Sequence, residues 1–383
     1  MARLSRFSRL SFARMLAVMR KEFIQLRRDR LTFAMMIGIP LIQLTLFGFA
    51  INGDPRHLPT VVVAGEQSAA ARSITAALTH SNYFDIVSTA STAGEADHML
   101  ATGLAQFSVT IPADFTRKLV RGERPQLLLD ADATDPTATG NAISALTQMA
   151  PTLLRYDLTG PLAVRAGGQP PFELVVQRRY NPDGLTAWNV VPGLMGVILT
   201  MTMIMMTGVA LTREVERGTM ENLLATPVRP IEVMIGKVLP FILIGSVQVV
   251  LILLAAKLLF RVPFVGSLPL LLLGVLVFIA ANLIVGITIS SVARSQMQAM
   301  QMTFFFFLPS ILLSGFMFPF RGMPGWAQVI GEALPLTHFI RLARGVMLKG
   351  NDLALVWAHL WPLLVFITVV LAIGLKRFRK TLD

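Results

Sequence analysis

Thr212-Arg-Glu-Val-Glu-Arg-Gly-Thr-Met-Glu-Asn-Leu-Leu-Ala-Thr-Pro227 is a charged segment set between two long apolar runs, and it organises the rest of the chain. It is too charged to lie in lipid. Gly218 and Thr219 interrupt a helix arriving from the membrane, and Thr219 caps a new one, with Glu221 in its first turn where the helix dipole favours an anion. Pro227 disfavours helical geometry at Thr226, and Pro230 suits the first turn of the next helix. The expectation is a short helix from Met220 to about Ala225, lying across the membrane surface with Met220, Leu223 and Leu224 on one face. Apolar anchors at that spacing are what a groove in a partner protein grips.

The whole chain fits a membrane setting. Its 383 residues are 54% hydrophobic and only 15% charged, which excludes an ordinary soluble protein. Cysteine is absent, so thiolate nucleophiles, thiolate metal sites and disulfides are excluded as well. Residues 1–30 carry nine Lys or Arg against two acids, and Leu16, Met19, Phe23 and Leu26 recur at helical spacing, which predicts an amphipathic cytoplasmic helix on an anionic leaflet. Leu31–Ile51 supplies 21 uncharged residues, enough for an uncleaved first crossing of a hydrocarbon core roughly 30 Å thick.

Residues 52–185 change character and alternate strand-like with helix-like segments. Apolar runs predict strands at Leu58–Ala64, Phe84–Ser88, Leu104–Ile111, Pro125–Leu129 and Phe172–Tyr180; helices are expected at Ser68–Thr79, Thr92–Ala101, Pro112–Val120 and Pro136 to about Val164. A compact α/β domain follows. Further crossings are expected at 190–211, 238–260, 269–292, 302–318 and 353–375, with 212–237 a coupling segment, 319–352 interfacial or re-entrant helices, and 376–383 a tail. The fold class is thus an α-helical polytopic membrane protein of six transmembrane helices with an inserted α/β extracytoplasmic domain.

Charge sets the orientation. With the amino end inside, the inside pieces hold 18 Lys or Arg against 7 acids, whereas the outside pieces hold 15 of each, leaving Lys257 near a helix end. Both termini are then cytoplasmic, and the net charge of +12 concerns membrane lipid, not nucleic acid.

Glu216-Arg-Gly-Thr-Met-Glu-Asn-Leu-Leu-Ala-Thr-Pro227 also resembles the coupling segment of ABC-2 type transporter permeases, Glu-x-Gly-Thr-x-Glu-x-Leu-x-x-Thr-Pro, and is continuous with it. Leu334-Pro-Leu-Thr-His-Phe-Ile-Arg341 with Arg344-Gly345 resembles a second pattern of the family, Pro-Leu-Thr and Arg-Gly separated by six residues. The large domain after the first crossing is similar to that of an exporter subgroup. The resemblance implies a permease subunit that docks a separate ABC ATP-binding subunit through Glu216, Gly218, Thr219, Glu221, Leu224, Thr226 and Pro227, beside the apolar Met220 and Leu223. It implies ATP and Mg in that partner and no cofactor in this chain, a homodimer or a heterodimer with a sister permease, and a bacterial inner membrane location. Contact of 52–185 with a periplasmic adaptor protein follows by family analogy. Substrate is not legible; drugs, lipids, polysaccharides and ions all fit. The competing reading is a membrane-anchored receptor or envelope-assembly protein that acts through the 52–185 domain.

No catalytic or metal site is predicted. Asp130, Asp132 and Asp135 depart from a calcium loop, with Asp135 where glycine is needed and Asn141 where glutamate is needed, and read as a strand end and helix cap. The five histidines lack zinc spacing, and Gly236-Lys237 lacks the glycine and hydroxyl of a phosphate loop. Gln248, Asn282 and Thr288 lie at membrane depth and require hydrogen-bond partners. Met195, Met201, Met203, Met205 and Met206 suit either core filling or an adaptable surface for apolar substrates.

Overall fold

The computed structural model describes residues 55–155, 157–158, 170–216 and 230–378. The amphipathic segment 1–30, the first crossing at 31–51 and the short helix expected at Met220–Ala225 lie outside these residues, as does the extreme carboxyl end.

Residues 58–179 form a five-stranded sheet from β1 (Leu58–Ala64), β2 (Phe84–Ala90), β3 (Phe107–Ile111), β4 (Gln126–Asp132) and β5 (Glu173–Arg179), in the order β2-β1-β3-β4-β5. Every neighbouring pair is parallel except β3 with β4, which run antiparallel with Val109 opposite Leu129. The connecting helices are α1 (Ala69–His80), α2 (Ala93–Thr102), α3 (Phe115–Arg121) and α4 (Pro136–Met149). Alternation along the strands sends Leu58, Val62, Phe107, Val109, Leu127 and Leu129 to one face, where they bury Ile74, Leu78 and Phe115. On the other face Val61 and Val63 meet Ala96 and Leu100 of α2.

Capping fixes the helix ends. Ser68, Thr92 and Asp135 accept from backbone amides of the first turns of α1, α2 and α4, and Glu95 of α2 returns the bond to Ser91 N at 2.9 Å. The helix expected from Pro136 to about Val164 is shorter: α4 ends at Met149. Pro151 explains this, because it brings no amide hydrogen to the ladder and its ring crowds the preceding turn.

The second part of the chain is helical, with α5 (Thr186–Glu216), α6 (Pro230–Leu258), α7 (Leu268–Ser290), α8 (Gln296–Leu313), α9 (Gly325–Glu332), α10 (Pro335–Arg344) and α11 (Leu353–Phe378). Among the described residues four stretches are long and apolar enough to cross a membrane: Thr186–Glu214, Pro240–Leu258, Leu268–Ser290 and Leu353–Gly374. α5 and α7 form the buried centre, whereas α6 and α11 keep apolar residues such as Val250, Leu254, Trp361 and Val365 exposed. Phe278 of α7 stacks on Phe339 of α10, with ring centroids 4.2 Å apart and planes 13° from parallel. α8 starts earlier than the crossing expected at 302–318. Ser295 caps it by accepting from Gln298 N, and Gln298 Oε1 accepts from Arg294 N at 2.8 Å, a reciprocal pair that nucleates the helix six residues before the apolar run.

Candidate coupling site

Of the nine residues that sequence assigns to coupling, Glu216 is described, as the last residue of α5. Gly218, Thr219, Met220, Glu221, Leu223, Leu224, Thr226 and Pro227 lie outside the described residues. Glu216 is exposed, and its Oε2 accepts from Gln296 N at 3.2 Å and from Gln296 Nε2 at 3.0 Å. It therefore places a carboxylate at the amino end of α8, where free amide hydrogens and the dipole attract an anion. Gln296 was not anticipated from sequence; it lies 80 residues from Glu216, and no local pattern connects them.

From Glu216, α5 runs 31 residues, about 46 Å at the usual helical rise. Its core contact with α7 is close. A Cβ at Gly286 would stand 2.8 Å from Thr207 Cβ and 2.9 Å from Ile204 O, so only glycine lets the two helices approach this far. Higher up, a Cβ at Gly196 would meet Phe339 and Leu336 of α10 at 2.7 and 2.8 Å. Met195 and Met203 are buried in this core, which places them as packing residues. Thr202 Oγ1 donates to Gln248 Oε1 of α6 at 3.0 Å, giving Gln248 a partner on a neighbouring helix. Asn282 Nδ2 and Thr288 Oγ1 instead donate to carbonyls four residues back on their own helix.

At its other end α5 meets the sheet domain. Asn189 Nδ2 donates to Thr134 O at 2.8 Å, and Arg344 reaches the same asparagine, donating from Nη2 to Oδ1 at 2.9 Å and from Nε to the carbonyl at 3.3 Å. Arg344 Nη1 also donates to Gly315 O at 3.4 Å, beyond the end of α8. The Arg344-Gly345 pair thus ties three helices together.

The Pro-Leu-Thr residues close the corner between α9 and α10. Thr337 Oγ1 donates to Gly331 O at 2.6 Å, and His338 Nε2 lies 2.8 Å from Glu332 O. Arg341 grips both carboxylate oxygens of Glu332, at 3.0 and 2.8 Å, while its guanidinium stands 4.4 Å over the Phe320 ring.

The aspartates of the sheet domain also have structural partners. Asp130 Oδ1 accepts from Arg179 Nε at 2.9 Å, Asp132 binds Thr134 and Lys349, and Asp135 caps α4. The Asp130 contact holds the Arg179 guanidinium above its ordinary pKa. Tyr180 follows β5 with φ 69°, and burial, reinforced by Asp132, pushes its phenol up to about 12. Among the described residues no three His, Asp or Glu side chains group as metal ligands.

One long helix therefore joins a charged segment, which begins at its exposed end, to a mixed-sheet domain at its buried end, within a set of apolar helices. That is the plan of a multi-helix membrane protein with an attached sheet domain. The chain belongs to the ABC-2 family of transporter proteins, whose family model matches residues 30–376. It is 30% identical over 96% of its length, and 99% of the relative's, to the probable multidrug ABC transporter permease YbhR of Escherichia coli (strain K12). It is also 33% identical to the inner membrane transport permease YhhJ of the same strain, over 76% of this chain and 77% of the relative. A third relative, the probable multidrug ABC transporter permease YbhS, is 29% identical over 89% of this chain and 90% of its own. No solved structure matches. Membership makes the chain a transport permease, not an enzyme, and implies an ABC ATP-binding partner.

Proposed function

We propose that the chain is the permease subunit of an ATP-driven exporter in a bacterial inner membrane, with drug-like apolar molecules among its substrates. Six crossings, both termini in the cytoplasm and the 52–185 domain outside are the arrangement consistent with the basic inner loops. A separate ATPase docks on 212–227, with Met220, Leu223 and Leu224 in its groove, and supplies ATP and Mg chemistry that this chain lacks. Six helices are few to enclose a substrate, so two permease chains, alike or sister, form the pathway, and the outer domain offers a face to a periplasmic adaptor.

The observation that carries the reading is α5, one helix from Glu216 at the start of the coupling motif to Asn189 beside the sheet domain. A continuous helix of this kind can carry a push at one end to the other, with Pro192 as the point where its hydrogen-bond ladder is weakened. The names of the relatives support drugs as substrate class. The test is capture of the detergent-solubilised chain from native membranes, wild type beside Leu224→Asp. An ATPase subunit should accompany the wild type and fall by about ten-fold with the variant, since a charge in an apolar groove is not tolerated. Equal capture by both would end the docking assignment, and no ATPase with either, after cross-linking, would favour a receptor.

A further inference from the structure

Arg344-Gly345 leads into a π-helical stretch, Gly345–Lys349, closed by Gly350 at φ 73°. Such a turn re-aims the side chain at its end and recurs at functional positions. Here that side chain is Lys349. Its Nζ lies 2.5 Å from Asp132 Oδ2, at the end of β4, and 3.0 Å from Leu100 O in the last turn of α2. The ammonium also stands 5.2 Å from the centroid of the Tyr180 ring. Two residues on, Asn351 Nδ2 donates to Ala101 O at 3.3 Å.

This cation therefore sits at a helix carboxyl end on the sheet domain, sharing the Leu100 carbonyl with Gly103 N where the dipole attracts it, and neutralises a carboxylate at the same point. The Lys349 and Asp132 side chains are only 9% and 10% exposed, so water does not screen the pair. The Asn189 bond to Thr134 forms a second attachment of the same domain. One attachment leaves the domain free to pivot; a second restricts that motion.

We propose that Lys349 is a positioning residue of the transport cycle, locking the 58–179 domain to the 335–349 segment so that the two move as one body. It rests on the export reading for its transport readout. Export by the wild type tests that reading, and the lock has readouts of its own.

The experiment uses the permease–ATPase complex in proteoliposomes, with efflux of a fluorescent apolar dye, ATP hydrolysis, and hydrogen exchange of the 96–102 amides as readouts. Lys349→Met should speed that exchange by about ten-fold or more, because the carboxyl end of α2 loses its cation and its tie through Asp132. Efflux should fall about ten-fold while ATP hydrolysis stays within about two-fold, the signature of uncoupling. Because the chain has no cysteine, Ala101→Cys with Asn351→Cys can be bridged by a short thiol-specific reagent. Bridging should restore efflux to Lys349→Met and leave the otherwise wild-type protein active. Unchanged exchange or unchanged efflux in Lys349→Met would overturn the proposal, as would a bridge that halts ATP hydrolysis, since the two bodies would then have to part. Should Lys349→Met fail to fold, the bridged wild type decides by that same criterion. If the wild type exports no dye, the export reading falls on that result alone, while exchange and the bridged ATP hydrolysis still decide the lock.

Discussion

At its Asn189 end α5 is held by Thr134 of the sheet domain and by Arg344, which also bonds Gly315 O, whereas at its Glu216 end an exposed carboxylate oxygen takes two bonds from Gln296. Asn189 is 7% exposed, so its bonds are made where water cannot compete. Those of Glu216 are made in solvent, where each contributes little. The contrast teaches which end is fixed and which is adjustable. Damage at the two ends should differ accordingly.

Arg344→Met breaks the comparison most severely. It strips the partner from Asn189 Oδ1 and from two carbonyls, a loss of about 3 kcal/mol or more when hydrogen bonds to a charged group go unmade in a shielded site. The expected outcome is a large drop in folded yield and in the melting temperature of the detergent-solubilised protein. Melting like the wild type would show that the Asn189 end is not welded through this arginine. Gly286→Ala comes next. A methyl group 2.8 Å from Thr207 Cβ forces α5 and α7 apart, and overpacking of this kind costs about 1–3 kcal/mol. It should lower the melting temperature by less than Arg344→Met while leaving both ends of α5 chemically intact, and a variant as stable as wild type would show the crossing to be soft.

Tyr180 sharpens the picture at the welded end. Its folded pKa is raised above the usual value of 10.0, so its contribution to stability is complete below pH about 10 and declines as pH rises towards about 12. The difference in phenolate absorbance between wild type and Tyr180→Phe should therefore appear well above that of a free tyrosine. Titration near 10 would mean that the domain junction admits water.

Much of the sheet domain is legible as a string of segments. β1 has the bounds of the apolar run Leu58–Ala64, and α2 and α4 begin where Thr92 and Asp135 can cap them. β3 begins at Phe107 in place of Leu104, because Gly103 closes α2 in the left-handed region and Leu104 stays 61% exposed on the turn. Strand order was not legible, since alternation reports which face a residue takes and not which strand lies beside it. The same limit hid the long-range contacts. Glu216 with Gln296, Asn189 with Arg344 and Asp132 with Lys349 are separated by 80, 155 and 217 residues. Arg344 was visible as part of a motif, but its partner Asn189 sits four residues into α5, where the expected crossing had not yet begun. The corner residues Thr337 and His338 read as motif positions, and only coordinates reveal that they bond backbone carbonyls of α9.

Glu216 is where the smallest effect is expected, and it separates two roles that the motif alone merges. As a docking residue it would touch the ATPase; as the structure has it, it acts on Gln296 within the chain. Glu216→Gln keeps an acceptor oxygen and removes the charge, so stability should fall by only about 0.3–1 kcal/mol, the worth of an exposed anion near a helix amino end. Gln296→Ala removes the side-chain donor and keeps the backbone amide bond to Glu216. If Glu216 acts through α8, the two substitutions should weaken ATPase capture to the same modest extent, and combining them should add little, because both break one contact. If Glu216→Gln weakens capture while Gln296→Ala leaves it untouched, the carboxylate faces the partner, and the adjustable end of α5 is itself part of the docking surface.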